Sequence, residues 1–337
     1  MVEKRLDQTM TEIEDGPATA LGDVLITTPS FGQHSEEPWE ELRRHGLQAR
    51  RSSGQHPMSP ADLAQQVGSC DALLVGLDLV DAQVMDAAPR LRVIAKHGVG
   101  TDNIDLEAAR KRGITVVNAP GGNSDAVADL TLGLLLALAR QIVPAHASVV
   151  AGRWDRFFGP QLSGRTMGVV GFGRIGQAVA RRAQGFGPRL LAHDPFVPAE
   201  VMHAAEVTPA TLDEIFVHCD VITLHLPSAP NGTPIVSRDV LQQLKPGTLL
   251  VNAARGDLVD GVAIAEALSS GALGGYAADA FTPEPPPADH PLLKAPRTLF
   301  TPHIGAFTDM SNAAMGTTVV GDIARVLNGE AAVNAVV

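Results

Sequence analysis

The sequence predicts an α/β protein built on doubly wound parallel sheets. Three observations lead there. Short apolar runs without polar–apolar alternation recur along the chain, longer segments of helical period separate them, and one run passes directly into a glycine-spaced turn and a helix-forming stretch. Strands covered on both faces read as continuous apolar runs, and parallel neighbours need crossover helices. At 337 residues the chain is long for one hydrophobic core, so two units are expected.

The elements follow in order. Residues 1–22 carry no apolar signal core and are expected as a soluble, flexible tail, with the cytoplasm as default compartment. Strands are expected at DVLIT (23–27), ALLV (72–75), LRVIA (91–95) and ITVVN (114–118). The stretch NAPGGNS (118–124) then breaks the chain, because Pro120 cannot continue a helix and Gly121 and Gly122 loosen the backbone. Ser124 is the expected N-cap of a long helix reaching about Arg140, and a second helix follows to about Trp154. The run Leu130 to Ala139 is about half as long as a bilayer crossing requires and reads as a helix buried on most sides. Further strands are expected at MGVVG (167–171), RLLAH (189–193), DVITLHL (220–226), GTLLVN (247–252) and TLFT (298–301). A second break at 302–308 precedes a final helical segment that would return to pack on the first unit.

Composition narrows the partners. A net charge of −11 and 4% aromatic residues argue against nucleic-acid and membrane-surface binding, while a local cation cluster could still hold a small anion. Cys70 and Cys219 both precede apolar runs, in SCDALLV and HCDVITL, and read as small buried residues at strand starts. Their spacing supports neither a disulfide framework nor a zinc site, and no metal is expected.

The stretch GVVGFGRIG holds Gly171, Gly173 and Gly176 between a strand and a helix. That is the Rossmann-like setting for a dinucleotide: Gly171 for the tight turn, Gly173 for close approach to the pyrophosphate, Gly176 for helix–strand packing. Amides from Arg174 onward would face the phosphates at the positive end of the helix. Asp194 ends the next strand, where a carboxylate accepts from the ribose diol and repels a 2′-phosphate; no arginine follows in HDPFVPAE, which favours NAD over NADP.

Two further residues suit chemistry at the carboxyl ends of strands. His303 follows a strand in LFTPHIGA, bracketed by Pro302 and Gly305, and ranks above His225, which also ends a strand and would line the site. Arg255 follows a strand in VNAARGDLVD, where a guanidinium can hold a carboxylate through two parallel hydrogen bonds; a surface pairing with Asp257 or Asp260 is the alternative.

The chain resembles the D-isomer-specific 2-hydroxyacid dehydrogenases, closest to their D-3-phosphoglycerate dehydrogenase branch. The matching segments are AKHGVGTDNIDLEAARKRGITVVNAPGGN, GRTMGVVGFGRIG, HLP, VNAARGDLVD, ADAFTPEPP and TPHIGAFT, in the family's order over about residues 90–310. The resemblance implies an NAD-dependent enzyme that moves a hydride between nicotinamide and a small anionic 2-hydroxy or 2-keto acid. It implies Arg255 on the substrate carboxylate, His303 as general acid/base and Glu284 hydrogen-bonded to the other ring nitrogen of His303. Lys96 and the loop Gly98, Val99 and Gly100 would meet the substrate. Ile175, Leu226, Ala253 and Gly305 would join the glycine loop and Asp194 at the cofactor, and Asp279 would meet the nicotinamide amide. The implied fold inserts an NAD-binding domain (123–308) in a discontinuous substrate-binding domain (23–122 plus 309–337).

Other implications concern specificity and assembly. Lys96 stands where phosphoglycerate dehydrogenases typically carry an arginine, and His97 replaces a small residue. Lysine lacks the bidentate fork, so a hydroxypyruvate/glyoxylate reductase is the alternative activity. A non-catalytic NAD(H)-sensing, corepressor-like protein is the alternative of another class. The chain ends soon after its last expected helix, which leaves no room for a C-terminal regulatory domain, and a homodimer through the nucleotide domains is expected, with the apolar 126–139 face contributing. The prolines of FTPEPPP (281–287) stiffen the loop that carries Glu284.

Overall fold

The structure, a computed structural model, describes residues 20–337. The expected tail falls outside the described residues as far as residue 19. Its last positions are ordered: the Leu21 N–H donates to the Gly46 carbonyl, and Gly22 opens the first strand.

Five parallel strands form the first sheet: β1 (Gly22–Ile26), β2 (Leu47–Arg51), β3 (Ala72–Val75), β4 (Val93–Lys96) and β5 (Thr115–Val117), in the order β2-β1-β3-β4-β5. Seven parallel strands form the second: β6 (Thr166–Val170), β7 (Arg189–His193), β8 (Thr208–Pro209), β9 (Val221–Leu224), β10 (Thr248–Asn252), β11 (Leu273–Ala278) and β12 (Thr298–Phe300). Their order is β12-β11-β10-β9-β6-β7-β8. Strand order reverses between β1 and β3 in one sheet and between β6 and β9 in the other. Ligands of open α/β sheets bind in the crevice at such points.

Every apolar run expected as a strand is one. Three strands carry no such run: β2, β8 and β11. The first two are sheet edges, and β11 (LGGYAA) is interrupted by glycines. The final helix, Asp309–Leu327, packs on the first sheet beside β4 and β5 and against the helix Glu37–Arg44. There Val319, Val320 and Ile323 join Val24 and Ile26 in one core. Both cysteines are buried free thiols, and burial pushes them up to about 11 (Cys70) and about 12 (Cys219).

The long helix is Ser124–Ala139, with Asn123 rather than Ser124 at its N-cap. Ser124 is already helical, and no side chain closes the cap. A second correction concerns the 126–139 face. Val127, Leu132, Leu134, Leu135 and Leu138 are buried within the chain, where the helix packs on Arg174–Ala183 and on β10 and β11. Exposed apolar side chains lie further on, in the helix Ile142–Val150 and the segment after it. Among the described residues, no single helix is long and apolar enough to cross a membrane.

Candidate active site

Four glycine-loop features fit a dinucleotide. Gly171 has φ +90°, and a Cβ there would strike the His225 carbonyl. Gly173 is open, with no atom within 4 Å of a Cβ position, so a ligand has room against the backbone. Gly176 sits against the Gly171 carbonyl, which sets the helix close to the strand. That helix starts at Arg174, leaving the first-turn amides of Arg174 and Ile175 unpaired within it, as any helix does. Asp194 closes the loop: Oδ2 accepts from Phe172 N at 2.8 Å and Oδ1 from Phe196 N at 2.9 Å. Each oxygen keeps a free lone pair for a ribose hydroxyl. Leu226 lies beside Gly171, and Ala253 directly follows β10.

The ends of β11 and β12 carry the titratable groups. His303 Nδ1 is 2.8 Å from Glu284 Oε2, and both side chains are about one third exposed, at 32% and 27%. The Phe281 N–H donates to Glu284 Oε1 at 2.8 Å, which ties the proline loop to its own acid. Burial alone would push Glu284 up. The His303 hydrogen bond and charge, the Phe281 N–H and the Arg255 charge outweigh it and hold the carboxyl below its ordinary value. With Glu284 ionised, Nδ1 carries the proton and donates, leaving Nε2 to exchange a proton elsewhere. Asp279 is buried, and its oxygens accept from Thr301 Oγ1, Ile304 N and Gly305 N. Burial raises its pKa despite these three donors.

Arg255 reaches across to the first sheet. Its Nε donates to Asp102 Oδ2 at 2.7 Å and its Nη1 to the Ala254 carbonyl at 2.8 Å. The guanidinium lies in a slot beside Gly100, where any side chain would overlap Nη2. Five N–H groups less these two leave three for a ligand. Asp257 and Asp260 are not its partners: Asp257 accepts from Ala229 N and Asp260 caps the helix Gly261–Ser270. In the loop before Gly100, the Gly98 N–H is taken by the Lys96 carbonyl. The Val99 and Gly100 amides have no backbone acceptor among the described residues.

Lys96 ends β4 and is only 6% exposed. Its ammonium donates to Asn103 Oδ1 at 2.8 Å and to the Gly76 carbonyl. Burial first, then the Arg255 charge, lowers its pKa to about 8. His97 is buried against Phe31 and lowered to about 4, and His225 is lowered to about 3 with neither ring nitrogen bonded. Both imidazoles are neutral at pH 7. The structure therefore gathers Arg255, Glu284 and His303 at one crevice with the Val99–Gly100 amides, and it ties back Lys96 and the Gly98 and Gly305 amides. Asp102 and Asn103 are the residues that sequence reasoning missed. Their only signal was two polar residues just past the glycine loop, with no hint of their partners.

Known proteins resemble this chain over most of its length. A family model described as "D-isomer specific 2-hydroxyacid dehydrogenase, NAD binding domain" matches residues 132–305. The chain is 39% identical to a D-3-phosphoglycerate dehydrogenase from Archaeoglobus fulgidus over 93% of its own length and 59% of that protein's. The chain thus spans little more than half the length of the curated relatives it matches. Among solved structures, the TT0316 protein from Thermus thermophilus is 38% identical with a TM-score of 0.82, covering 94% of this chain and 100% of that one. The NAD-dependent formate dehydrogenase from Staphylococcus aureus, solved with NAD, is 28% identical with a TM-score of 0.81, covering 94% and 99%. The cofactor that the glycine loop and Asp194 fit is NAD.

Proposed function

Because the chain belongs to the D-isomer-specific 2-hydroxyacid dehydrogenase family, we propose that it interconverts a D-2-hydroxy acid and its 2-keto acid with NAD. The observation that carries this reading is the 2.8 Å bond between His303 and Glu284 beside the free N–H groups of Arg255. Arg255 and the Val99–Gly100 amides hold the substrate carboxylate. His303 Nε2 takes the hydroxyl proton in oxidation and returns one in reduction, with Glu284 fixing the tautomer and stabilising the imidazolium. The glycine loop, Asp194, Leu226 and Ala253 would hold the cofactor, which would accept the hydride as NAD in oxidation and supply it as NADH in reduction. Asp279 Oδ2 keeps one lone pair for the nicotinamide amide. The division of labour is a substrate-binding domain of 23–122 plus 309–337 around an NAD-binding domain of 123–308.

The name of the curated relatives makes D-3-phosphoglycerate the first substrate to try. The state of Lys96 favours a second reading, a hydroxypyruvate or glyoxylate reductase, since its buried ammonium already serves Gly76 and Asn103. NADH oxidation measured with 3-phosphohydroxypyruvate, hydroxypyruvate, glyoxylate and pyruvate separates the two by kcat/KM. Turnover of none of these or of other 2-keto acids, with NADH still raising the Tm, would overturn the enzyme reading in favour of a cofactor-sensing protein.

The partner is a second copy of this chain. The support is that Val150, Trp154 and Phe158, close together in sequence, are 72%, 78% and 95% exposed, and exposed apolar side chains mark interaction sites where they cluster. A monomer in sedimentation equilibrium would overturn the dimer.

A further inference from the structure

We propose that Asp279 is the positioning residue for His303: its carboxylate clamps the 301–305 turn in the backbone conformation that turns the imidazole onto Glu284. The proposal rests on the reading of His303 as acid/base, but it is tested by a signal that needs neither substrate nor cofactor.

His303 has φ +55°, the left-handed region. A non-glycine residue there is strained and persists only when its surroundings impose it. The surroundings here are mostly one side chain. Asp279 directly follows β11, the neighbour of β12. Its Oδ1 accepts from Thr301 Oγ1 at 2.6 Å and from Ile304 N at 2.9 Å, and its Oδ2 accepts from Gly305 N at 2.7 Å. One donor precedes His303 and two follow it, so the turn is held on both sides of the strained residue. The Thr301 N–H adds a ladder bond to the Ala278 carbonyl.

Only a carboxylate meets all three donors. It accepts at both oxygens and donates at neither. An asparagine would turn an NH₂ group toward a backbone N–H, donor against donor. The turn also has no slack elsewhere: a Cβ at Gly305 would stand 3.1 Å from Asp279 Oδ2 and 3.2 Å from Val127 Cγ2. The imidazole is thus fixed at two levels, the ring by Glu284 and the backbone by Asp279. Releasing the second lets the first drift.

The test is Asp279→Asn, studied first without cofactor by NMR of histidine-labelled protein. In the wild type the Nδ1 proton shared between His303 and Glu284 gives a low-field resonance, assigned by its disappearance in His303→Ala. In Asp279→Asn that resonance is lost or moves to the ordinary field, and kcat falls about 10²-fold, as a displacement of about 1 Å in a reacting group does, with KM for the keto acid little changed. A variant that keeps the resonance and loses only NADH affinity overturns the proposal, because Asp279 would then act on the cofactor alone. So does a folded wild type that lacks the resonance. Should Asp279→Asn fail to fold, Thr301→Val deletes one donor at nearly constant volume. It should broaden the resonance and lower kcat several-fold, and an unchanged resonance and kcat overturn the proposal. The acid/base reading fails separately, if His303→Ala retains turnover.

Discussion

Lys96 and Arg255 are both cations at the carboxyl end of a strand, one in each sheet, and the fold treats them oppositely. Lys96 is buried, its ammonium is bonded to the Gly76 carbonyl and Asn103, and its pKa falls to about 8. Arg255 is 29% exposed, gives two N–H groups to Asp102 and Ala254, and keeps three. A buried cation whose protons go to backbone and amide oxygens braces the loops around it. A partly exposed one with only two of its N–H groups occupied presents the remainder to a ligand. The same contrast separates His225, buried and unbonded, from His303, part-exposed and paired with an acid. Position at a strand end is thus common to working and structural groups, and the supporting bonds decide which is which.

The largest test of that contrast is loss of the working groups. His303→Ala should lower kcat by about 10²–10⁴, the usual worth of general acid/base help. Arg255→Ala should lower kcat/KM comparably, and Arg255→Lys should not rescue it, because lysine lacks the planar fork. NADH binding, followed by the change in NADH fluorescence, should persist in all three variants. Near-normal turnover in either alanine variant would break the comparison at its stronger end.

Lys96 should answer in stability. Its folded pKa of about 8 lies below the ordinary 10.5, so the folded state resists the protonated form. The unfolded chain holds more protons between these values, and stability therefore rises as pH climbs from about 8 to about 10.5. Below pH 8 the cost of the buried charge is fully present, and above 10.5 it is gone. The gap corresponds to about 3 kcal/mol. Urea unfolding of wild type and Lys96→Met across this window should show the wild type gaining by about that amount relative to the variant. A flat difference would mean that the ammonium is solvated, and the brace would lose its argument.

Much of this was legible in the sequence, for physical reasons that also explain the gaps. Interior parallel strands are covered on both faces, so ALLV and RLLAH stand out as apolar runs. The edge strand β2, LQARR, faces water along most of its length and reads as polar. Strand β11 escaped because Gly274 and Gly275 interrupt it. A Cβ on the first would strike the Gly247 carbonyl and one on the second would crowd Leu138, so close packing removed the hydrophobic signal. Arg255 and His303 stood out as candidates because glycine or proline punctuates each just past a strand, whereas the pairing of Glu284 with His303 came from the family resemblance. The partners were not: Asp102 and Arg255 lie 153 positions apart, and nothing local to either names the other. The bonds of Asp279 were likewise hidden, since its three donors come from the turn after the next strand.

Asp102 gives the finest test, because its bond to Arg255 joins the two sheets whereas those of Lys96 stay within the first. If Asp102 supports the guanidinium, Asp102→Ala leaves Nε unpaired and frees the side chain to leave the slot beside Gly100. A hydrogen bond to a charged group is worth about 1.5–3 kcal/mol. The pair is partly exposed, at 29% and 45%, so solvent screening puts the effect at the low end. The expectation is a loss of about tenfold in kcat/KM, expressed mainly in KM, with Asp102→Asn intermediate because its carbonyl still accepts from Nε. Added salt should move the wild type toward the alanine variant. The opposite sign is equally informative. If Asp102 competes with the substrate carboxylate for Arg255, its removal raises kcat/KM, and the ion pair is a lock that substrate must open. An unchanged kcat/KM would show that Gly100 and the Ala254 carbonyl suffice to hold the fork, and the bond between the sheets would then carry no weight in the site.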